Sequence, residues 1–360
     1  MVEWLAGNRI KGTSTERTAG TAEVPEVPAV AGGWKLLGRN SGSLPSVTSL
    51  ANKKYYMILN DVQVNTSAPA VGIRLGNSSS DTGTNYSDRY CQNDSSDVTE
   101  TSQTRVQWHG DATTLDQFSV GYISNLSGKE KLMMNRSVSQ GGSGAGTAPS
   151  NRWEGVGKWA NTSNPLDRID WFNIGSGSWD SSSEMVVLGY DPDDTHTDNF
   201  WEELYSNELG SDNQEFSTGT ITAKKYLWLQ FYQQGHTGNS ILRFNSDSGS
   251  NYARRHSING ASDANVTSQT GLVNVLTGGT ADYHSFTNMF IINNSANEKL
   301  CTFQTTFNAA GGSGASNTPQ RIEGVTKWAN TSAQITSVQV TDNTGAGFDT
   351  GSILKIWGSN

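Results

Sequence analysis

Two glutamates of the first half of the chain recur at matching places in the second half, and paired carboxylates are what a glycosidase needs. Glu154 matches Glu323, and Glu130 matches Glu298. Hydrolysis of a glycosidic bond uses two carboxyl groups about 5–9 Å apart, one of which carries a raised pKa. A lysine or arginine stands beside each of these glutamates, and a neighbouring cation lowers a carboxyl pKa. We therefore expect no enzymatic activity and no cofactor.

Nucleophilic and metal chemistry find as little support in the sequence. Residues 141–145 lack the last glycine of a nucleophile elbow, and their composition predicts a flexible surface loop. The acidic segment 190–198 could hold calcium through carboxylate oxygens, but the glycine and terminal glutamate of an EF-hand are missing. We interpret it as a solvated linker and expect no metal site. The five histidines stand apart from one another in the sequence: His109, His196, His236, His256 and His284.

Sugar binding is the one ligand chemistry for which the sequence supplies matched residues. Tyr86 with Arg89, and Tyr252 with Arg255, lie in corresponding loops of the two halves, each tyrosine preceded by an asparagine. Exposed aromatic rings beside amide and guanidinium groups are the usual surface for a carbohydrate. A β-turn packed by a buried tyrosine explains the same residues. The sequence leaves both interpretations open.

The elements that position these residues follow from an internal duplication. The run Arg-Trp-Glu-Gly-Val-Gly-Lys-Trp-Ala-Asn-Thr-Ser at 152–163 returns at 321–332 with two changes. Matching residues are spread over both halves, and a repeat this long indicates a duplicated domain rather than a solenoid. The sequence predicts an N-terminal arm over 1–33, a first domain over 34–189, a linker over 190–200 and a second domain over 201–360.

Composition and strand periodicity predict the fold class. Only 16% of the residues are charged, 39 are glycine, and long segments of helical period are absent. We expect an all-β protein with two tandem homologous antiparallel β-sandwich domains, jelly-roll-like, and an extended arm. In the repeated motif Trp153 and Trp159 share one strand face, which predicts packing against a second sheet. Arg152, Glu154 and Lys158 share the other face, which predicts an exposed ladder of charges.

Charge and terminal composition bear on partners and location. The net charge is −9 without a basic stripe, which argues against nucleic-acid binding. No apolar run approaches 18 residues, so we expect no membrane span, and the first residues do not resemble a signal peptide. Trp4, Leu5 and Ile10 give the arm apolar anchors, which favours an arm that orders on a neighbouring subunit.

Two segments carry a resemblance to a known family. Trp-Leu-Ala-Gly-Asn-Arg-Ile-Lys-Gly-Thr-Ser at 4–14, and the motif Arg-x-Glu-Gly-Val-x-Lys-Trp-Ala-Asn-Thr-Ser, resemble structural proteins of tailed viruses of bacteria and archaea. The resemblance covers most of the chain. It implies β-sandwich modules on a particle surface, often in trimers or larger rings, and transfers no catalytic residue.

The resemblance sets the functional expectation. It implies a capsid decoration (cement) or turret-like protein that stabilises the particle by bridging neighbouring subunits. Its partners would be itself, with a trimer favoured, and the major capsid protein or other virion proteins. It would be assembled in the host cytoplasm and lie on the virion surface. The alternative is a carbohydrate- or receptor-binding protein of a tail tip or cell surface.

Overall fold

The computed structural model describes residues 33–109, 114–194, 198–235, 240–273, 275, 284–308, 315, 318–343, 345 and 347–360. All regular structure in these ranges is β-strand, and every strand pairing is antiparallel. No helix long and apolar enough to cross a membrane occurs in them. The predicted arm, with its anchors Trp4, Leu5 and Ile10, lies outside the described residues.

The first copy forms two facing sheets and a short accessory pair. The strands are β1 (Lys35–Ser41), β2 (Ser46–Val47), β3 (Tyr55–Val62), β4 (Val64–Thr66), β5 (Val71–Asn77), β6 (Ser79–Ser80), β7 (Tyr86–Gln92), β8 (Val98–Gln103), β9 (Val106–Gln107), β10 (Gln117–Ser124), β11 (Lys131–Ser139), β12 (Asn151–Trp159), β13 (Arg168–Asn173), β14 (Ser178–Trp179) and β15 (Glu184–Tyr190). The large sheet runs β1-β15-β3-β10-β11-β12-β7-β8. The small sheet runs β2-β13-β5-β6 with β9 beside β5, and β14 pairs with β4.

The second copy repeats this arrangement. Its strands are β16 (Glu202–Glu208), β17 (Glu215–Ser217), β18 (Tyr226–Gln233), β19 (Ser240–Phe244), β20 (Tyr252–Ile258), β21 (Ala264–Gln269), β22 (Leu272–Val273), β23 (Ser285–Ile292), β24 (Lys299–Phe307), β25 (Gln320–Trp328), β26 (Val338–Asp342) and β27 (Ile353–Ser359). The large sheet runs β16-β27-β18-β23-β24-β25-β20-β21, strand for strand the order of the first copy. The predicted fold class, an all-β pair of tandem antiparallel sandwiches, is confirmed.

Each sandwich has its own apolar core between its two sheets. Side chains alternate across a strand, so every second residue of the large sheet faces inward. The two tryptophans of the repeated motif, Trp153 and Trp159, are both buried on that inner face of β12, as the periodicity predicts. Trp328 takes the place of Trp159 in the second core. The motif is therefore first of all a packing element of the sandwich.

One buried histidine makes the stability of the first sandwich dependent on pH. His109 is fully buried, and among the described residues neither ring nitrogen has a hydrogen-bond partner. Burial lowers the pKa of His109 to about 3, because the charged imidazolium would lose its hydration. Its pKa is depressed on folding, so its contribution to stability is complete above about 6.5, the unfolded value, and falls as pH drops toward 3.

We therefore predict that His109→Leu removes part of the acid sensitivity. At pH 5 the wild type should lose roughly 2 kcal/mol of folding free energy through this group relative to pH 7.5. The variant should not show that loss, as measured by urea unfolding at both pH values. The exposed His284→Gln is the matched control. An equal pH dependence in wild type and His109→Leu would show that His109 is not the titrating group.

Candidate functional site

The outer faces of the two large sheets pack against each other. These are the faces turned away from the sandwich cores, and apolar residues of both copies meet on them. Trp201, just before β16, contacts Phe200 edge-to-face at 5.0 Å and Trp228 at 5.7 Å. We call this the interdomain cluster; its buried members are Met57, Leu59, Phe118, Val120, Val138, Val186, Leu188, Phe200, Trp201, Tyr226, Phe290, Ile292, Leu300, Val325 and Trp357. The two sandwiches thus share a third core.

A partly buried cation links the two domains on one side of this interface. The ammonium of Lys225 lies 3.0 Å from Asp61 and 2.8 Å from Glu184, both in the first copy. The hydroxyl of Tyr226 donates to the same Glu184 carboxylate at 2.8 Å. Burial raises the pKa of Glu184, but Lys225 and Tyr226 outweigh it, so the net pKa is lowered. These complementary charges therefore help to fix the relative orientation of the two domains, whose contact is otherwise apolar.

On the other side the predicted ladder of exposed charges is buried at Arg152, and this corrects the sequence interpretation for that end of the ladder. Arg152 is buried and donates to the Asp263 carboxylate at 2.8 and 3.1 Å. It also donates to Glu154 at 2.8 Å, and its guanidinium lies 3.9 Å from Glu323. Strand alternation correctly places Arg152 and Glu154 on one face. The second domain covers the Arg152 end of that face, whereas Val156 and Lys158 further along it stay exposed.

The glycine-rich segment 141–145 also contacts the second domain, so the prediction of a flexible surface loop is wrong. The Gly144 amide donates to Glu298, and the ammonium of Lys327 donates to the Gly142 carbonyl. Lys327 and Glu298 form an ion pair at 3.2 Å with both side chains almost fully buried. Burial lowers the pKa of Lys327. The amide of Ser268 donates to the Ala145 carbonyl at 2.8 Å, which completes the contact.

Beside the interdomain cluster the outer faces diverge and leave an open cleft of about 490 Å³. Its walls come from both copies and mix apolar with polar groups. Arg89 and Asp97 of the first domain are exposed at the rim of the cleft. The Arg89 guanidinium lies 3.2 Å from the Asp97 carboxylate. The lining side chains include charged, amide and apolar groups, among them Arg89, Asp97, Met134, Arg136, Val156 and Asn288.

The structure separates the four residues predicted to bind sugar. Tyr86 and Tyr252 are core residues, so the exposed aromatic platform is not formed. The Tyr86 hydroxyl donates to the Leu75 carbonyl at 2.9 Å, and Tyr252 repeats this contact with Phe244 at 3.2 Å. Arg255 donates to the Pro149 carbonyl across the domain interface. Arg89 alone of the four faces open solvent, and it does so at the cleft.

The tyrosine loops are turns held by an aspartate that sequence reasoning passed over. Asp81 accepts from the indole of Trp159 at 2.7 Å and from the Asn85 amide at 2.9 Å. In the second copy Asp247 accepts from the indole of Trp328 at 2.7 Å and from the amide of Asn251 at 2.9 Å. The spacing Asp-x-Gly-x-Asn-Tyr, present in both copies, is the signal that could have revealed this. The matched loops and the repeated tryptophan therefore form one structural unit.

The described residues hold no cluster of three histidine, cysteine or acidic side chains that could bind a metal. Asp191 and Asp193 of the predicted linker pair with Lys54, and Asp194 pairs with Lys53. Cys91 and Cys301 are free thiols, and burial raises the pKa of Cys301 to about 12, which leaves its thiol unreactive at neutral pH. His196 and His236 lie outside the described residues.

Comparison with known proteins gives little beyond this geometry. No protein-family model matches the chain, and no curated protein matches it. Among solved structures, the LG4-5 domains of the mouse laminin alpha1 chain are 12% identical with a TM-score of 0.19, covering 94% of this chain and 93% of that one. An arabinofuranosyltransferase from Mycobacteria is 9% identical with a TM-score of 0.16, covering 90% and 33%. Similarities this weak carry no functional argument.

Proposed function

We propose that the chain is a virion structural protein, a capsid decoration (cement) or turret-like protein that bridges neighbouring subunits and acts without catalysis. The observation that carries the proposal is an apolar strip on the outer face of the first domain. Leu132 and Met134 of β11 and Val156 of β12 lie side by side there, each half exposed or more. Exposed apolar strips of this kind mark protein–protein contacts.

Rigidity is the second property that suits a bridging role. The interdomain cluster, the ion pair of Lys225 and the buried ion pair of Lys327 join the two sandwiches. A bridging protein transmits force between its contacts only if its own domains do not rotate against each other. The predicted arm over 1–33 would add a second attachment, and several weak contacts on a symmetric shell multiply into tight binding.

Detection on purified particles tests the proposal. We expect the chain to be present at a fixed stoichiometry in gradient-purified particles of the virus that encodes it, with regular immunogold labelling of the particle surface. A chain shortened to residues 34–360 keeps both sandwiches and should lose most of its attachment to particles. Absence of the full chain from particles, in cells where it is abundant, would contradict the role.

The cleft supports a second candidate function, the binding of a carbohydrate or receptor. Arg89, Asp97 and Asn288 line it and could hydrogen-bond hydroxyl groups. If this function holds, a glycan array should give a hit that Arg89→Ala removes, and residues 34–360 should bind as well as the full chain. Equal binding by the wild type and Arg89→Ala would exclude the cleft as the site.

A further inference from the structure

The contact between the two domains is head-to-tail rather than symmetric. A two-fold contact would use each pair of residues twice, once in each direction. Arg152 of the first copy binds Asp263 of the second. The reverse pair would be Arg321 with Asp97, yet these residues pair instead with Glu323 and Arg89 of their own domains. The two domains therefore use overlapping but different parts of their outer faces. Leu188 and its counterpart Trp357 both lie in the interdomain cluster, whereas the counterparts of some other members remain exposed.

One apolar residue that the first domain buries at the contact has an exposed counterpart of the same type in the second domain. Phe118 is the second residue of β10, and Phe286 is the second residue of β23. Phe118 is 1% exposed in the interdomain cluster, whereas Phe286 is 42% exposed. The same residue type at the same place thus has a partner in one copy and solvent in the other.

The free part of the first domain matches the part that the second domain has buried. Leu300 of β24 is 1% exposed, and its counterpart Leu132 of β11 is 56% exposed. Val325 of β25 is 2% exposed, and its counterpart Val156 of β12 is 50% exposed. Because these residues serve as interface in one copy, the same types in the other copy present a ready surface of the same chemistry.

The residues of the interface ion pair also have counterparts elsewhere in the chain, and these counterparts lie on two surfaces that do not contact each other. In the interface Asp263 is paired by Arg255 at 3.7 Å and by the incoming Arg152. In the first domain Asp97 is paired by Arg89, the counterpart of Arg255, at the open rim of the cleft. In the second domain Arg321, the counterpart of Arg152, is largely exposed. Within the described part of one chain, Asp97 has the counterpart of Arg255 but no counterpart of Arg152. Arg321 of a second chain would supply it.

We propose that copies of this chain associate head-to-tail, the second domain of one chain packing on the first domain of the next in the way the two domains pack within the chain. Phe286 would lie against Tyr55 of the partner subunit, the counterpart of the Tyr226 that Phe118 contacts within the chain at 6.4 Å between ring centroids. Leu132 and Val156 would be covered as Leu300 and Val325 are, and Arg321 would bind Asp97 of the partner subunit. Met134 and Val156 of the strip also line the cleft, so the incoming domain would lie over part of its opening. A head-to-tail contact closes into a ring or grows as a filament.

This inference deepens the proposed function by naming a partner for the same strip, and it rests on that function only in taking the strip for an assembly surface. The partner is a second copy of the chain, because the same kind of contact is already present between the two domains within one chain. A different protein as partner would not explain why residues buried at the domain contact in one copy recur, in sequence and position, as exposed residues in the other copy. A carbohydrate would occupy the cleft. It would leave Leu132 and Phe286 uncovered, because these two residues lie on the free faces of the two different domains.

Static light scattering of the full chain and of Leu132→Asp tests the inference. We expect the wild type to have a mass of several chains and Leu132→Asp to fall toward one chain, with the dissociation constant raised on the order of 100-fold. Leu44→Asp is the matched control, since Leu44 is 58% exposed in the loop after β1, away from the strip. Circular dichroism melts should show all three folded, because both leucines are exposed within one chain.

The outcomes separate the two proposals. A monomeric wild type, or an oligomer that Leu132→Asp leaves intact while the melts agree, overturns the head-to-tail contact. An oligomer that Leu132→Asp dissociates supports it, whether or not the chain is found on particles. Absence from particles tells against the virion role alone. A chain that decorates particles but stays monomeric in solution at tens of micromolar tells against the head-to-tail contact alone.

Discussion

Replacing Lys327 by methionine should destabilise the chain by about 3–5 kcal/mol, because the change leaves Glu298 buried and without its cation. Both side chains of the pair are almost fully buried under the glycine-rich segment 141–145. The lysine also donates to the Gly142 carbonyl, so that contact of the first domain is lost as well. Urea unfolding at pH 7.5, followed by circular dichroism, measures the difference.

The duplication supplies the control for this prediction. Lys158 and Glu130 form the corresponding pair in the first domain at 3.0 Å, with side chains that are 44% and 39% exposed. Lys158→Met should therefore change the free energy of unfolding by no more than about 1 kcal/mol. Exchanging both Lys327 and Glu298 for leucine or methionine should recover most of the loss. Equal effects at Lys327 and Lys158 would mean that the domain contact does not bury the pair.

Replacing Trp201 by alanine should cost about 3–5 kcal/mol and should also uncouple the two sandwiches. Trp201 is buried in the interdomain cluster between Phe200 and Trp228, and within the described residues its indole nitrogen has no hydrogen-bond partner. The loss is therefore one of packing alone. Because this cluster is the third core, a cavity in it weakens the contact between domains without touching either sandwich core.

Calorimetry distinguishes the two consequences. The wild type should unfold in one transition, and Trp201→Ala should unfold in two, one for each sandwich. Trp34 stands at the corresponding place before β1 and is only half-buried. Trp34→Ala should therefore cost less and keep a single transition. A single sharp transition in Trp201→Ala with only a small loss of stability would show that the two sandwiches are not coupled through this cluster.

The fold could be predicted from the sequence because strand alternation and the duplication are local patterns. Trp153 and Trp159 lie on the sandwich face that their period-two spacing assigns them, and the large sheets of the two copies have the same strand order. The same alternation places Arg152 and Glu154 on the other face. It does not tell what covers the Arg152 end of that face, and the prediction of an exposed ladder was wrong there for this reason.

The candidate site could not be predicted because it depends on the difference between two copies of similar sequence. Lys158 and Lys327 occupy the same position in the same motif, yet Lys158 is nearly half exposed and Lys327 is buried. Only the packing of one domain on the other makes the environments differ. The two interpretations of the tyrosines stayed open for a related reason, since Tyr86 and Tyr252 suit a ligand loop and a packed turn equally well until Asp81 and Asp247 are located. The structure shows the packed turn.

The most direct test of the head-to-tail contact is the mass in solution of three charge-reversal variants. Arg321→Asp and Asp97→Arg should each dissociate the assembly, since each brings like charges together where the contact needs opposite ones. The chain that carries both changes should assemble again, because every contact then pairs a negative residue 321 with a positive residue 97. Assembly by either single variant, or no recovery in the double variant, would contradict the account.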